Sequence, residues 1–115
     1  MKLQGTGRTV GDVCVLDLSG RITLGEGSAY LRQTLRELVG RGNKKIILNL
    51  ADVDYIDSSG IGELVSGFTT VRTAGGELKL LSLTKRVHDL LQITRLVTVF
   101  DVHSDEPSAV SSFRV

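Results

Sequence analysis

Apolar residues recur along the chain with two different periods. Between Arg8 and Leu18 they alternate with polar residues in two short runs that Gly11-Asp12 separates, which predicts a β-hairpin. Residues 46–50 form a near-continuous apolar run, a pattern typical of a strand covered on both faces. A helical period follows this run, and it places five apolar side chains on one stripe: Ile61, Leu64, Val65, Phe68 and Val71.

The same patterns predict the remaining elements. Gly20 is expected to end the second strand, and residues 21–27 are expected to form an irregular connecting loop. Helical spacing then covers residues 28–39, and Gly40 and Gly42 follow it as helix-ending residues. The other predicted elements are a strand over residues 78–83, a helix that Thr84 caps, a strand over residues 96–100, and a last helix that begins near Asp105 and Pro107.

The order of these elements is strand, strand, helix, strand, helix, strand, helix, strand, helix. Such alternation predicts an α/β fold whose mixed, mostly parallel β-sheet carries an N-terminal hairpin and about four helices. With 115 residues and no internal repeat, the chain is expected to form one domain over residues 1–115.

Composition excludes several classes of function. A formal net charge of +1 argues against a dedicated nucleic-acid binder, and the 4% aromatic content without tryptophan argues against a base-stacking surface. The single cysteine, Cys14, permits no internal disulfide and no cysteine-based zinc site. Neither a signal peptide nor a run of about 18 apolar residues is present, so we expect a cytosolic protein without membrane insertion.

The polar residues do not form a recognisable catalytic or metal-binding motif. The nucleophile elbow of a serine hydrolase requires Gly-x-Ser-x-Gly, and Ile56 and Asp57 occupy the first glycine position for the two candidate serines. Asp52, Asp54 and Asp57 lack the glycine and the terminal glutamate of a calcium loop. We therefore expect no enzymatic activity, no metal and no cofactor.

The most distinctive stretch is Asp57-Ser58-Ser59-Gly60, which joins the apolar strand to the central helix. Aspartate and serine are preferred where a helix begins, because their side-chain oxygens accept bonds from unpaired backbone N–H groups. A serine at such a turn is also exposed to the active site of another protein. A phosphate on it would add about −1.5 to −2 charges at the positive end of the helix. The stretch is thus either a simple helix cap or a modification site.

These residues carry a resemblance to a known family. The run Ile46–Leu50, the stretch Asp57-Ser58-Ser59-Gly60-Ile61-Gly62 and the later Gly75-Gly76-Glu77-Leu78 look like an anti-sigma factor antagonist of the STAS family. The hairpin, the first helix and the helix over residues 84–94 fall in family order, so the resemblance covers most of the chain.

The resemblance implies a mechanism and a set of site residues. Family members bind an anti-sigma factor that is also an ATP-dependent serine kinase, and this binding releases the sigma factor. The kinase phosphorylates the first serine after the aspartate, which is Ser58 here, and a separate phosphatase restores the protein. The implied partner-binding residues are those around this serine and at the end of the second strand: Asp57, Ser58, Ser59, Gly60, Arg21 and Thr23. A monomer or weak homodimer is expected.

One segment departs from the family pattern. Family members commonly show Gly-Glu-Leu-Asp after the second strand, whereas the matching residues here are Gly20, Arg21, Ile22 and Thr23. Since charge complementarity governs the choice of partner, a cation in place of an acid changes the expected partner surface. The alternative is therefore a constitutive STAS subunit, for instance of a lipid-type ABC transporter, in which Ser58 only caps the helix.

Overall fold

The computed structural model describes residues 2–113, and within this range the chain forms one five-stranded sheet and four helices. The elements are β1 (Gln4–Val10), β2 (Val13–Ile22), α1 (Glu26–Gly40), β3 (Lys45–Ile56), α2 (Ser58–Thr73), β4 (Glu77–Leu81), α3 (Lys85–Ile93), β5 (Asp101–His103) and α4 (Glu106–Ser111). The sheet order is β1-β2-β3-β4-β5, with β1 antiparallel to β2 and all other pairs parallel. The mixed, mostly parallel α/β fold is thus confirmed. None of the helices described is both long and apolar enough to cross a membrane.

The two faces of the sheet are covered unequally. Alternate residues of β2 and β3, such as Leu16 and Leu48, face a large apolar core shared with α1, α2 and α3. The residues between them, such as Val15 and Ile47, belong to a smaller cluster that includes Ala109 of α4. The near-continuous apolar run of β3 therefore reflects a strand that is buried on both faces.

Three helices begin at a residue whose side-chain oxygen accepts a hydrogen bond from a backbone N–H group. Asp57 caps α2, Thr84 caps α3 and Asp105 caps α4, in each case through a side-chain oxygen that accepts the N–H three residues later. These are residue types whose short polar side chains reach the unpaired N–H groups of the first turn. The sequence signals for the starts of α2, α3 and α4 are therefore borne out by the geometry.

The predicted strand over residues 96–100 is wrong, since the last strand is Asp101–His103. Helix α3 ends at Ile93, and Arg95, two residues later, adopts a φ of 62°. The N–H groups of Leu96 and Val97 then donate back to the carbonyl of Leu91, at 2.8 and 3.2 Å. The N–H of Val99 donates in turn to the carbonyl of Leu96 at 3.0 Å, so three N–H groups of this segment are paired in a turn and not in a strand.

Other bounds also differ from the prediction. The strand predicted over residues 78–83 is Glu77–Leu81, the helix predicted over residues 28–39 is Glu26–Gly40, and β2 and β3 are both longer than their apolar runs indicate. Gly20 does not end β2, which continues to Ile22, and Ser19 pairs with Asp52. Asp52 and Asp54 consequently lie within β3, beyond the apolar run of residues 46–50, and are exposed. Because the two strands continue to pair in parallel up to Ile22 and Ile56, both strands include polar residues that follow their apolar runs.

The apolar stripe of α2 is confirmed in part. Ile61, Leu64 and Val71 are buried, and Gly67 lies on the same buried face. Phe68 is only partly buried, and its ring packs edge-on against that of Phe100 with centroids 5.7 Å apart. The face of α2 that meets the sheet is therefore rotated slightly away from Phe68.

Arg8 joins three elements on the second face of the sheet. Its guanidinium donates to the carboxylate of Asp17 on β2, with Nε 2.6 Å from Oδ2, and to the carboxylate of Glu106 on α4. Hydrogen bonds from Arg8 are the main cause that lowers the pKa of both carboxyl groups below their ordinary values. A carboxyl group whose pKa is lowered by folding stabilises the fold above its unfolded-state pKa and loses that contribution as the pH falls.

Replacing Arg8 by glutamine is expected to lower the free energy of unfolding at pH 7 by about 1 kcal/mol, because these ion pairs are partly exposed. The difference from the wild-type protein should shrink as the pH falls below about 4 and both carboxylates become protonated. Urea denaturation at several pH values measures this, with Arg36→Gln on the exposed side of α1 as the matched control. If Arg8→Gln lowers the free energy of unfolding as much at pH 2 as at pH 7, the two carboxylates are not the groups through which Arg8 stabilises the fold.

Candidate functional site

The candidate site lies where β2 and β3 end and α2 begins. Asp57 is its central residue, because each of its carboxylate oxygens accepts a different backbone N–H. Oδ2 accepts from Leu24 at 3.0 Å, and Oδ1 accepts from Gly60 at 2.9 Å. These bonds, that of Leu24 first, lower the pKa of Asp57 below its ordinary value. The carboxylate therefore remains charged and acts as an acceptor at neutral pH.

The two serines after Asp57 differ in exposure. Ser58, the first residue of α2, is exposed, whereas Ser59 is half-buried. Gly60 is buried against the end of β2, and a Cβ atom placed there would lie only 2.1 Å from the carbonyl oxygen of Ile22. Only glycine permits this approach of backbone to backbone, and it fixes the start of α2 against the strand.

A groove of about 820 Å³ runs beside Ser58, between the start of α2 and helix α3. Its walls are largely apolar and include Ile61 of α2 and Leu90 of α3. Lys85 and Arg86 stand on the rim at the start of α3, where Lys85 is paired with Asp89, with Nζ 2.8 Å from Oδ2. The groove is thus an apolar cleft with the exposed hydroxyl of Ser58 at its edge.

Three large apolar side chains are exposed around this serine. Tyr55 is 40% exposed and Ile93 is 78% exposed, and both line the groove together with Ser58. Leu24 is 79% exposed, and its backbone is held by Asp57. Apolar groups in water are costly, so a cluster of them beside a polar group is typical of a surface that binds another protein.

Sequence reasoning did not single out these three residues, although two of them carry a signal. Leu24 is an isolated apolar residue in a glycine-bearing loop, where no core position is expected. Ile93 lies off the buried stripe of α3, which consists of Val87 and Leu91. Apolar residues outside the predicted core stripes were therefore the available clue.

Arg21 and Thr23 lie near the site but not in the groove. Both line a neighbouring depression with Leu24. The guanidinium of Arg21 is turned toward Asp54 on β3, with Nε 3.8 Å from Oδ1. The carbonyl of Thr23 accepts bonds from Ser28 at the start of α1. The structure thus brings Asp57, Ser58, Ser59 and Gly60 together at one turn and places Arg21 and Thr23 on its flank.

The two histidines of the chain lie on different elements. His88 lies on the exposed side of α3, with Nδ1 3.9 Å from an oxygen of Asp89, while His103 belongs to β5. Over residues 2–113, no three histidine, cysteine, aspartate or glutamate side chains are arranged to hold a metal ion. The arrangement at Ser58 suits binding and covalent modification by another protein.

Comparison with known proteins places the chain among relatives of one kind. The family model described as the STAS domain matches residues 6–109. An anti-sigma-B factor antagonist of Bacillus subtilis is 36% identical over 95 residues, which cover 83% of this chain and 85% of the relative.

Solved structures agree on the fold. An anti-sigma factor antagonist from Mycobacterium paratuberculosis aligns with a TM-score of 0.86 at 17% identity, over 99% of this chain and 96% of that chain. The Bacillus cell fate determinant SpoIIAA in its phosphorylated form aligns with a TM-score of 0.73 at 19% identity, over 96% and 100% of the two chains. At these identities the likeness establishes the fold alone.

Proposed function

Because the chain belongs to the STAS domain family, we propose that it is an anti-sigma factor antagonist. In this role it binds a cognate anti-sigma factor, and the sigma factor held by that protein is released. The relative from Bacillus subtilis, which shares 36% of aligned residues, supports this proposal by its name. Residues 1–115 would act as one STAS domain in the cytoplasm, as a monomer or weak homodimer, without contacting nucleic acid directly.

The observation that carries the proposal is the surface around Ser58. Leu24, Tyr55 and Ile93 are three of the four large apolar side chains that are exposed within residues 2–113. We define these three residues together with Ser58 as the docking surface. Burying exposed apolar area of this kind is the main favourable contribution to protein association. A partner that covers the docking surface would also cover the serine hydroxyl.

Phosphorylation of Ser58 would switch this binding off. The proposed partner is an anti-sigma factor that is also a serine kinase, so ATP and Mg²⁺ belong to the partner, and a separate phosphatase removes the phosphate. This chain contributes the acceptor hydroxyl and a charged cap, Asp57, and it performs no chemistry itself. The proposed contact residues are those at the start of α2 and on its flank: Asp57, Ser58, Ser59, Gly60, Arg21 and Thr23.

The test is treatment of the purified protein with candidate anti-sigma factor kinases from the same genome, ATP and Mg²⁺. We expect one phosphate on Ser58, because this serine is exposed while Ser59 is half-buried. Mass spectrometry of the digested protein locates the phosphate. Ser58→Ala should accept none, and the matched variant Ser59→Ala should be phosphorylated like the wild-type protein.

Two results would count against the proposal. A phosphate found on Ser59 alone would show that the exposed hydroxyl is not the acceptor. A protein that no cognate kinase binds or modifies would favour the constitutive role, in which the chain serves as a transporter subunit and Ser58 only caps α2.

A further inference from the structure

The loop of residues 23–25 carries Leu24, the most exposed part of the docking surface. Its ends are tied to α1. The carbonyl of Thr23 accepts the backbone N–H and the hydroxyl of Ser28, at 3.0 and 2.9 Å. The carbonyl of Gly25 accepts the N–H of Ala29 at 3.0 Å. These bonds fix the two ends of the loop, but they leave the N–H of the middle residue, Leu24, to another partner.

That partner is Asp57. Its Oδ2 accepts the N–H of Leu24 at 3.0 Å while its Oδ1 accepts the N–H of Gly60 at 2.9 Å. Within residues 2–113 this is the hydrogen bond that joins the loop to α2. One carboxylate therefore connects the segment that bears Leu24 to the turn that bears Ser58.

We propose that Asp57 is a positioning residue that acts through Leu24: its carboxylate holds the loop that carries Leu24 against the turn that carries Ser58, so that the exposed Leu24 side chain is part of the docking surface. The importance of Leu24 for partner binding rests on the proposed function, whereas the role of Asp57 in holding the Leu24 loop does not. A partner then meets a preformed apolar surface, and it does not have to order the loop on binding. Preformed surfaces bind more tightly because less conformational entropy is lost.

A cap alone would not require this arrangement. Asp105 caps α4 through one oxygen, which accepts the N–H of Ser108 at 2.9 Å, and Thr84 caps α3 with the single oxygen that its hydroxyl offers. The second oxygen of Asp57 goes beyond capping, because it reaches a residue 33 positions earlier in the chain. Its low pKa is consistent with two backbone donors that meet one charged acceptor.

The Asp57→Ser variant separates the two roles. A serine hydroxyl at this position can still accept the N–H of Gly60 and cap α2, but it has no second oxygen for Leu24. The backbone amide of Leu24 in the full-length protein is then followed by NMR, without any partner. We expect its exchange with solvent to become at least about tenfold faster, while the Gly60 amide stays protected, as a released hydrogen bond predicts. A Leu24 amide that exchanges equally slowly in both proteins would overturn the inference.

A double-mutant cycle tests whether Asp57 acts through Leu24. Using the kinase that modifies Ser58, we expect Asp57→Ser and Leu24→Ala each to weaken binding about tenfold, and the double variant to be little weaker than either. If the double variant binds about a hundredfold more weakly, so that the two single effects multiply, Asp57 contributes to binding independently of Leu24. That result would overturn the positioning role. A wild-type protein that fails to bind any such kinase contradicts the proposed function, and the amide experiment then decides the position of Leu24 by itself.

Discussion

Replacing Gly60 by alanine is expected to destabilise the protein by about 3 kcal/mol, since the added methyl group has no space. The new Cβ would lie 2.1 Å from the carbonyl oxygen of Ile22 and 2.7 Å from Cγ2 of Ile56. The first of these is backbone in a paired strand, so relief requires α2 to move away from the sheet. Urea denaturation followed by circular dichroism measures the loss.

Gly62, two residues later on the same helix, is the matched control. A Cβ there meets nothing within 4 Å, and the residue is exposed. Because alanine is a better helix former than glycine, Gly62→Ala should stabilise the protein by about 0.5–1 kcal/mol. Equal effects of the two substitutions would show that α2 does not pack against Ile22 as described.

The elements that the sequence predicted correctly have local causes. The helical stripe of α1, with Leu31, Leu35 and Leu38, is set by spacing within one segment, and those residues are buried as expected. The caps at Asp57 and Thr84 are equally local, because each side chain bonds an N–H three residues away. Periodicity and capping are properties of a short window, so a sequence is sufficient to reveal them.

The errors have two causes, and the first is pairing between distant segments. The sequence predicts that Gly20 ends a strand, yet a Cβ atom there would lie 2.6 Å from the carbonyl oxygen of Lys2. This glycine allows a close approach of two backbones, and the strand continues past it. The second cause is a local turn: residues 96–100 have the composition of a strand, but the N–H groups of Leu96, Val97 and Val99 donate to carbonyls of α3 and of the turn itself. Neither fact can be obtained from local composition.

The candidate site divides in the same way. The turn at Asp57 and Ser58 was predictable, because residue types that cap helices follow an apolar strand. The neighbours of this turn were not predictable, since the bond from Asp57 to Leu24 spans 33 positions and depends on how β2 and β3 align. The exposure of Ile93 likewise depends on which face of α3 meets the sheet.

A phosphate on Ser58 is expected to weaken binding of the anti-sigma factor more than a hundredfold, a loss of about 3 kcal/mol or more. The modification places about −1.5 to −2 charges in the groove that the exposed side chains of Tyr55 and Ile93 also line. A partner that covers those side chains must also strip water from the phosphate, which is costly. Lys85 and Arg86 on the rim do not fully balance the added charge, because Asp57 and Asp89 line the same groove and Lys85 is paired with Asp89. The fold itself should persist, because the phosphate faces the positive end of α2.

Isothermal titration of the anti-sigma factor with the phosphorylated and with the unphosphorylated protein measures the ratio of the two dissociation constants. Ser58→Asp should reproduce the loss in part, since a carboxylate carries less charge and fewer acceptor oxygens than a phosphate. Ser58→Ala should bind like the unphosphorylated protein, and Ser59→Asp is the matched control for a charge one residue away. Thermal melts of the same samples establish whether the fold is intact. Equal affinities for Ser58→Asp and Ser58→Ala, with both variants folded, would mean that charge at the docking surface does not govern binding, and the switch would have to be abandoned.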